Sequence, residues 1–264
     1  MTHSNVVLHF VRLTAVSAAT AITLAGNPPE LITNGDFETT SNGADKQTDL
    51  YTQATGWTST QQPSSSYFAS VGMGAYSFIF SGPNSTVQTK TESPGTLQLW
   101  GPNTGENNGL TGSSNGGNFY GTDANWNTGL LTQTVDGLTP GTEYTLKFGT
   151  ATAQQSGFYG DIWTDFKVTF GGEEKTSPQY SITSKGFSGW KQVSFDFTAT
   201  SSSQLLSFLA QGPDGSGLPP IALLDGVSLK EKQTSVPEPG SYAVAVGGLL
   251  LVVGGVRRFR GSNR

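Results

Sequence analysis

Residues 162–170 alternate without a break: Ile162, Thr164, Phe166, Val168 and Phe170 on one parity, Trp163, Asp165, Lys167 and Thr169 on the other. A period of two sends successive side chains to opposite faces of a pleated strand, so one face of this segment belongs to a core. The same alternation runs through Tyr144, Leu146 and Phe148, and through Val193, Phe195 and Phe197. Turn signals separate these runs, Gly137-Leu138-Thr139-Pro140-Gly141 before and Gly171-Gly172 after. No segment has the helical period that the crossovers of a parallel sheet require, and no solenoid or propeller repeat is visible. The pattern predicts an all-β fold, an antiparallel jelly-roll β-sandwich.

Composition narrows the chemistry. Residues 30–236 contain no His, no Cys and no Arg, and set 9 Lys against 18 acidic residues, a net charge of −9. A Ser-His-Asp or Cys-His centre lacks its base. A zinc site lacks its usual ligands, and the bidentate phosphate clamp of arginine is missing. An acidic surface without arginine is also a poor partner for nucleic acid. Carboxylates, hydroxyls, amides and aromatic rings remain, which suit calcium binding, sugar stacking or a two-carboxylate hydrolysis. Asp161, Asp165, Glu173 and Glu174 lie near one another in sequence, but a retaining glycosidase needs two carboxyls about 5–5.5 Å apart. Asp161 and Asp165 are two pleats apart, too far for that role. The expectation is a non-enzyme, with a carboxylate-based glycoside hydrolase or a surface- or ice-adhering protein as alternatives. A flat, regular Thr-rich repeat, the usual mark of an ice-adhering surface, is not visible.

The two ends read as targeting segments flanking a domain at residues 30–232. Residues 1–25 carry Arg12, then an apolar stretch with small residues at Ala19, Ala21 and Ala25, the layout of a signal peptide with its helix. Residues 233–264 contain Val236-Pro237-Glu238-Pro239, an uncharged apolar run at 242–256, and a basic end at Arg257 and Arg258. As a helix that run reaches about 22 Å, short of a ~30 Å hydrocarbon core. A single transmembrane helix, transiently inserted with its basic end cytoplasmic, is expected. This order of Pro-Glu-Pro, apolar helix and basic end resembles the PEP-CTERM sorting tail of Gram-negative bacteria, also catalogued as the ice-binding protein C-terminal domain. The resemblance implies an exosortase partner that recognises the tail and cuts near Pro-Glu-Pro. It also implies export across the inner membrane, anchoring before processing, and a final place at the cell surface or outside it.

The middle carries a second resemblance. Glu30-Leu31-Ile32-Thr33-Asn34-Gly35-Asp36-Phe37-Glu38 opens it, with Gly56-Trp57 following, and Leu224-Asp225-Gly226-Val227-Ser228-Leu229 closes it. This pairing is similar to galactose-binding-like jelly rolls, including carbohydrate-binding modules, and implies a structural calcium between the opening and closing strands. The residues themselves point the same way. Asp225 shares parity with Ile221, Leu223, Val227 and Leu229, and a carboxylate turned toward a core needs a partner. No arginine is available and Lys230 has the opposite parity. Either calcium sits on Asp225, Glu38 and Asp36, or Asp225 accepts backbone N–H bonds in a turn beside Gly226.

Five tryptophans, Trp57, Trp100, Trp126, Trp163 and Trp190, are core residues or ligand platforms. Trp163 has the polar parity of its strand, and Trp190 lies opposite Val193, Phe195 and Phe197. Trp126 falls in a loop-like stretch, 118–129, with Tyr120, Asp123 and Asn125. Rings beside amides and carboxylates suit the apolar faces and hydroxyl rims of sugars. Trp126, Trp163, Trp190, Tyr120, Asp123 and Asn125 are therefore the candidate glycan contacts, with extracellular polysaccharide as the partner. Residues 101–117, rich in Asn, Gly and Ser, read as a long surface loop that either binds ligand or is a disordered insertion.

Overall fold

The structure, a computed structural model, describes residues 27–61, 74–90, 94–214 and 217–233. The expected signal segment at 1–25 and the tail residues Val236, Pro237, Glu238, Pro239, Arg257 and Arg258 lie outside the described residues. Among the described residues no helix is long and apolar enough to cross a membrane.

Two sheets form a β-sandwich. The larger has eight strands in the order β12-β8-β14-β6-β3-β1-β4-β5. These are β1 (Lys46–Gln47), β3 (Ser77–Phe80), β4 (Val87–Lys90), β5 (Pro94–Leu97), β6 (Phe119–Asp123), β8 (Glu143–Gln154), β12 (Lys191–Thr198) and β14 (Pro220–Glu231). The smaller contains β2 (Thr58–Gln61), β7 (Gly129–Asp136), β9 (Ile162–Phe170), β10 (Glu173–Thr176), β11 (Tyr180–Ile182) and β13 (Ser203–Gln211). Its order is β10-β9-β13-β7-β2, with β11 also on β9. Pairing between these strands is antiparallel except for β1 with β4.

The alternating segments become the strands expected of them. Along β9 every residue of the Ile162 parity is buried and every residue of the Trp163 parity is half-exposed. Tyr144, Leu146 and Phe148 of β8 meet Phe166, Val168 and Phe170 of β9 in the core between the sheets. Rings fill its centre, Phe208 packing edge-on against Phe148 at 5.2 Å and Phe166 at 6.0 Å.

A second apolar cluster lies on the other face of the eight-stranded sheet. Ile221 and Leu223 of β14, Ala151 and Ala153 of β8, Phe78 and Phe80 of β3 and Phe119 of β6 meet Leu99 and Leu110 there. Loop residues from 98–118 and 184–190 pack on this face, Leu99, Leu110, Phe187 and Trp190 among them, so β3, β6, the second half of β8 and the first half of β14 are buried on both sides, while β12 and the first half of β8 keep an exposed face. The 101–117 stretch is thus part of the packing: Leu110 is buried in the cluster and Asn108 bonds the carbonyls of Trp100 and Lys185. The outward side chains of β7, β9 and β13 in the six-stranded sheet are half-exposed or exposed, with no described residues buried over them.

The parity reading of β14 needs a correction. Its register against β8 shifts between Asp225 and Ser228, with Gly226 in the left-handed region at φ 61°. A β-bulge inserts an unpaired residue and turns the following side chains to the opposite face. Ile221 and Leu223 therefore join the outer cluster, while Val227 and Leu229 join Ala222 and Leu224 between the sheets. Asp225, on the Leu223 side of the bulge, lies under the covering loop and takes a hydrogen bond from the Ser113 hydroxyl.

Candidate functional site

Cross-strand register places polar and apolar side chains in rows on the uncovered face of the six-stranded sheet. Thr58, Thr132, Ser207 and Thr169 stand opposite one another across β2, β7, β13 and β9. One pleat away the row is Thr60, Leu130, Leu209 and Lys167, and the next pairs Gln211 with Asp165. Trp163 and Ser181 are opposite each other at the end of this face. Neighbouring strands are about 4.8 Å apart, so the hydroxyl row spans roughly 14 Å.

Trp163 lies in a shallow groove of about 270 Å³ lined with Asp161, Ile162, Ser181, Ile182 and Thr183. Asp161 is fixed by the Ser184 N–H at 3.1 Å. Asp165 is half-buried, its Oδ1 has no hydrogen-bond partner, and burial raises its pKa above the usual carboxylate range. Lys167 is paired with Glu174 at 3.3 Å. The surface thus offers a half-exposed indole, hydroxyls and an amide, with no unpaired cation on these rows, while the unbonded Asp165 oxygen is itself buried. It can stack on and hydrogen-bond to a polyhydroxyl ligand. Asp161 and Asp165 leave the same strand two pleats apart, as the sequence indicates.

The other candidates are placed differently. Trp126 is half-buried, edge-on to Tyr76 at 5.0 Å, and Trp190 donates its indole N–H to the Thr111 carbonyl at 3.0 Å. Both rim the outer cluster under the loops. Tyr120 is not in a loop: it lies in β6, 1% exposed, with its hydroxyl 3.4 Å from Ser59 Oγ between the sheets. Its ring is closed to any ligand, because the 118–129 stretch begins with a central strand rather than a loop. Asp123, also 1% exposed, ends that strand and accepts the N–H groups of Asn125 at 2.8 Å and Trp126 at 2.9 Å. It shapes the turn that carries Asn125 and Trp126. Burial, only partly offset by those donors, pushes its carboxyl up to about 7. Trp57 and Trp100 are buried.

Asp225 is 0% exposed, and its Oδ1 has no hydrogen-bond partner. Burial pushes it up to about 6, countered by the Ser113 hydroxyl and raised further by the charge of Asp36. Asp36, Glu38, Asn115 and Gly226 line a groove of about 430 Å³ beside it. Gly35 closes this junction: Val227 of β14 donates to the Gly35 carbonyl at 2.9 Å, and any Cβ on Gly35 would strike the Val227 oxygen. Glu38 is partly engaged, accepting the Asn118 N–H at 2.7 Å. Among the described residues no three carboxylate, His or Cys side chains converge as a metal-ligand group.

No family model and no curated protein matches the chain. Solved structures similar to it include TmCBM61 in complex with β-1,4-galactotriose, at 12% identity and TM-score 0.40, covering 77% of this chain and 99% of that one. The CBM22-1 xylan-binding domain of Paenibacillus barcinonensis Xyn10C is similar at 11% identity and TM-score 0.36, covering 80% and 99%. The N-terminal cellulose-binding domain of Cellulomonas fimi β-1,4-glucanase C is similar at 15% identity and TM-score 0.30, covering 60% and 90%.

Proposed function

We propose that this protein is an exported, non-catalytic β-sandwich that binds glycan on the open face of its six-stranded sheet, around Trp163. One observation carries the reading: of the five tryptophans, Trp163 is the one that stands half-exposed on an uncovered sheet face, in a groove rimmed by hydroxyls and a carboxylate. Extracellular polysaccharide is the partner class. Trp163→Ala removes the stacking ring and should weaken binding by about 1–3 kcal/mol, by analogy with bases stacked on aromatic rings. Titration calorimetry against matrix polysaccharide tests this, with an unchanged melting temperature as the control for folding. Equal affinity of variant and wild type would remove the sheet face from the reading and leave a structural matrix component.

Export and sorting rest on the sequence. The Pro237-Glu238-Pro239, apolar and basic order supports an exosortase as partner, with transient membrane anchoring before release to the surface. Protein from the native host is expected to lack Arg257 and Arg258. Intact mass of the secreted form checks this, and a full-length mass would make the tail a plain membrane anchor.

A structural calcium is the proposed cofactor. Asp225, buried with its Oδ1 unbonded, offers the oxygen ligand calcium takes, but no three carboxylates converge there among the described residues, so binding would have to draw Asp36 and Glu38 toward it. Asp225, Asp36 and Glu38 would supply carboxylates, and carbonyl oxygens the remainder. Its role would be to tie the 34–38 segment to β14. Saturating calcium at about 100 times its Kd should stabilise the fold by about 2.7 kcal/mol. The melting temperature should therefore drop in excess chelator, and Asp225→Asn should abolish the difference. Identical melts with calcium and chelator would leave Asp225 as a hydrogen-bonded turn carboxyl.

A further inference from the structure

β12 ends the eight-stranded sheet and pairs only with β8. It is the longest edge strand among the described residues, 8 residues against 4 in β2, β5 and β10. Just beyond it the Ala199 N–H donates to the Thr142 carbonyl at 2.9 Å, which fixes the phase of the pairing. Antiparallel ladders alternate, so Val193, Phe195 and Phe197 exchange their backbone bonds with β8. Gln192, Ser194, Asp196 and Thr198 turn theirs away from the sheet, a row that can template another strand. Among the described residues a single side chain bonds this row: Lys175, from β10 of the facing sheet, donates its ammonium to the Asp196 carbonyl. The same ammonium pairs with Glu173 at 3.1 Å and lies 4.8 Å from the Phe197 ring. It is a charge held across the seam between the two sheets.

The sequence of β12 is complementary to itself. Two copies placed antiparallel about a two-fold axis at Ser194 would set Ser194 against Ser194 and Gln192 against Asp196, so neither carboxylate meets its equal. On the inner side Val193 would stand against Phe195, a core ring that the edge position leaves half-exposed. Nothing described covers the outer side, where Gln192, Ser194 and Thr198 are exposed. Pairing in this register needs the Asp196 carbonyl that Lys175 holds, and would close over the ammonium and strip its water. We propose that the β12 edge is a latent interface for a second copy of this chain, and that Lys175 keeps it closed. Lysine is a common block on an edge strand. Here it reaches over from the other sheet, and the pairing of β12 with β8 is left whole. The inference is independent of the glycan reading.

Sedimentation velocity of the full chain and its variants in one mild-detergent buffer tests this, with melting temperatures as the control for folding. Lys175→Met, which keeps an aliphatic stem over Phe197, and Lys175→Gln should each self-associate at least about tenfold more tightly than wild type. Lys175→Arg keeps the cation and its donors and should behave as wild type. Ser194→Pro removes the central outward N–H, a change that an edge strand tolerates; added to Lys175→Met, it should restore the wild-type state. The chain has no cysteine, so one introduced thiol reports the contact. In the Lys175→Met chain a short bis-maleimide should join copies through Ser194→Cys and not through Thr134→Cys, on the outward face of the smaller sheet. Folded Lys175→Met and Lys175→Gln chains that sediment as wild type would show that the lysine blocks nothing. Association that survives Ser194→Pro, or that cross-links at Thr134 as readily as at Ser194, would overturn the β12 edge as the interface. A wild type already joined through Ser194→Cys would overturn the block.

Discussion

Phe208→Ala is expected to cost about 3–5 kcal/mol of folding stability, the range for deleting a fully buried ring. Phe208 projects from β13 into the space between the sheets, where Trp57, Phe148 and Phe166 surround it at centroid distances of 6.2, 5.2 and 6.0 Å. The cavity left behind is walled by rigid rings from β8, β9 and the residue just before β2, so it cannot collapse without moving both sheets. Whole domains are stable by only about 5–15 kcal/mol, so the variant should lose a large share of the total. Leu205→Ala, three residues earlier on the same strand and 53% exposed, should change stability by no more than about 0.5 kcal/mol. Urea unfolding at fixed pH measures both. A Phe208→Ala loss below about 1 kcal/mol would mean that these rings do not act as one packed unit.

Stability should also fall as pH rises from about 4 to 7, measured in chelator. Asp123 is held up to about 7 and Asp225 to about 6 by burial, against 3.8 for the ordinary carboxyl. Below pH 3.8 both folded and unfolded chains keep these protons. Between that point and the folded value the unfolded chain ionises while the folded one does not, so the unfolded state binds fewer protons and stability declines with pH. The contribution is fully present at the acid end and gone above about pH 7. One pKa unit corresponds to about 1.4 kcal/mol, so Asp123 alone is worth on the order of 4 kcal/mol across the window. Asp196, held below the ordinary value chiefly by Lys232 and then by Thr145, acts oppositely: its contribution is present above the ordinary carboxyl pKa and lost as pH falls below it. Asp123→Asn preserves an acceptor oxygen for the Asn125 and Trp126 N–H groups and removes the titration. Its pH–stability curve, from urea melts at each pH, should be flatter than wild type across this window; an unchanged slope would show that Asp123 ionises normally in the fold.

Strand identity was legible in the chain because a period of two is local. Each residue from Ile162 to Phe170 took the face its parity assigned, and the lack of His, Cys and Arg in residues 30–236 limited the available chemistry before any contact was known. Long-range placement decided the rest. A single bulge at Gly226 sent Asp225 to one face of β14 and Val227 and Leu229 to the other, a change that strict alternation cannot register. Tyr120 sits among polar and glycine residues that read as a loop, yet β3 and β14 flank it and bury its ring. The hydroxyl row of Thr58, Thr132, Ser207 and Thr169 joins residues up to 149 positions apart, and pairing register alone brings them onto one line. Alternation tells which side chains share a face of one strand; which strands lie side by side, and which face a loop then covers, is settled only when the two sheets pack. Among the described residues, that packing covered both faces of the larger sheet over β3 and β6 and left Trp163 half-exposed on the outward face of the smaller one.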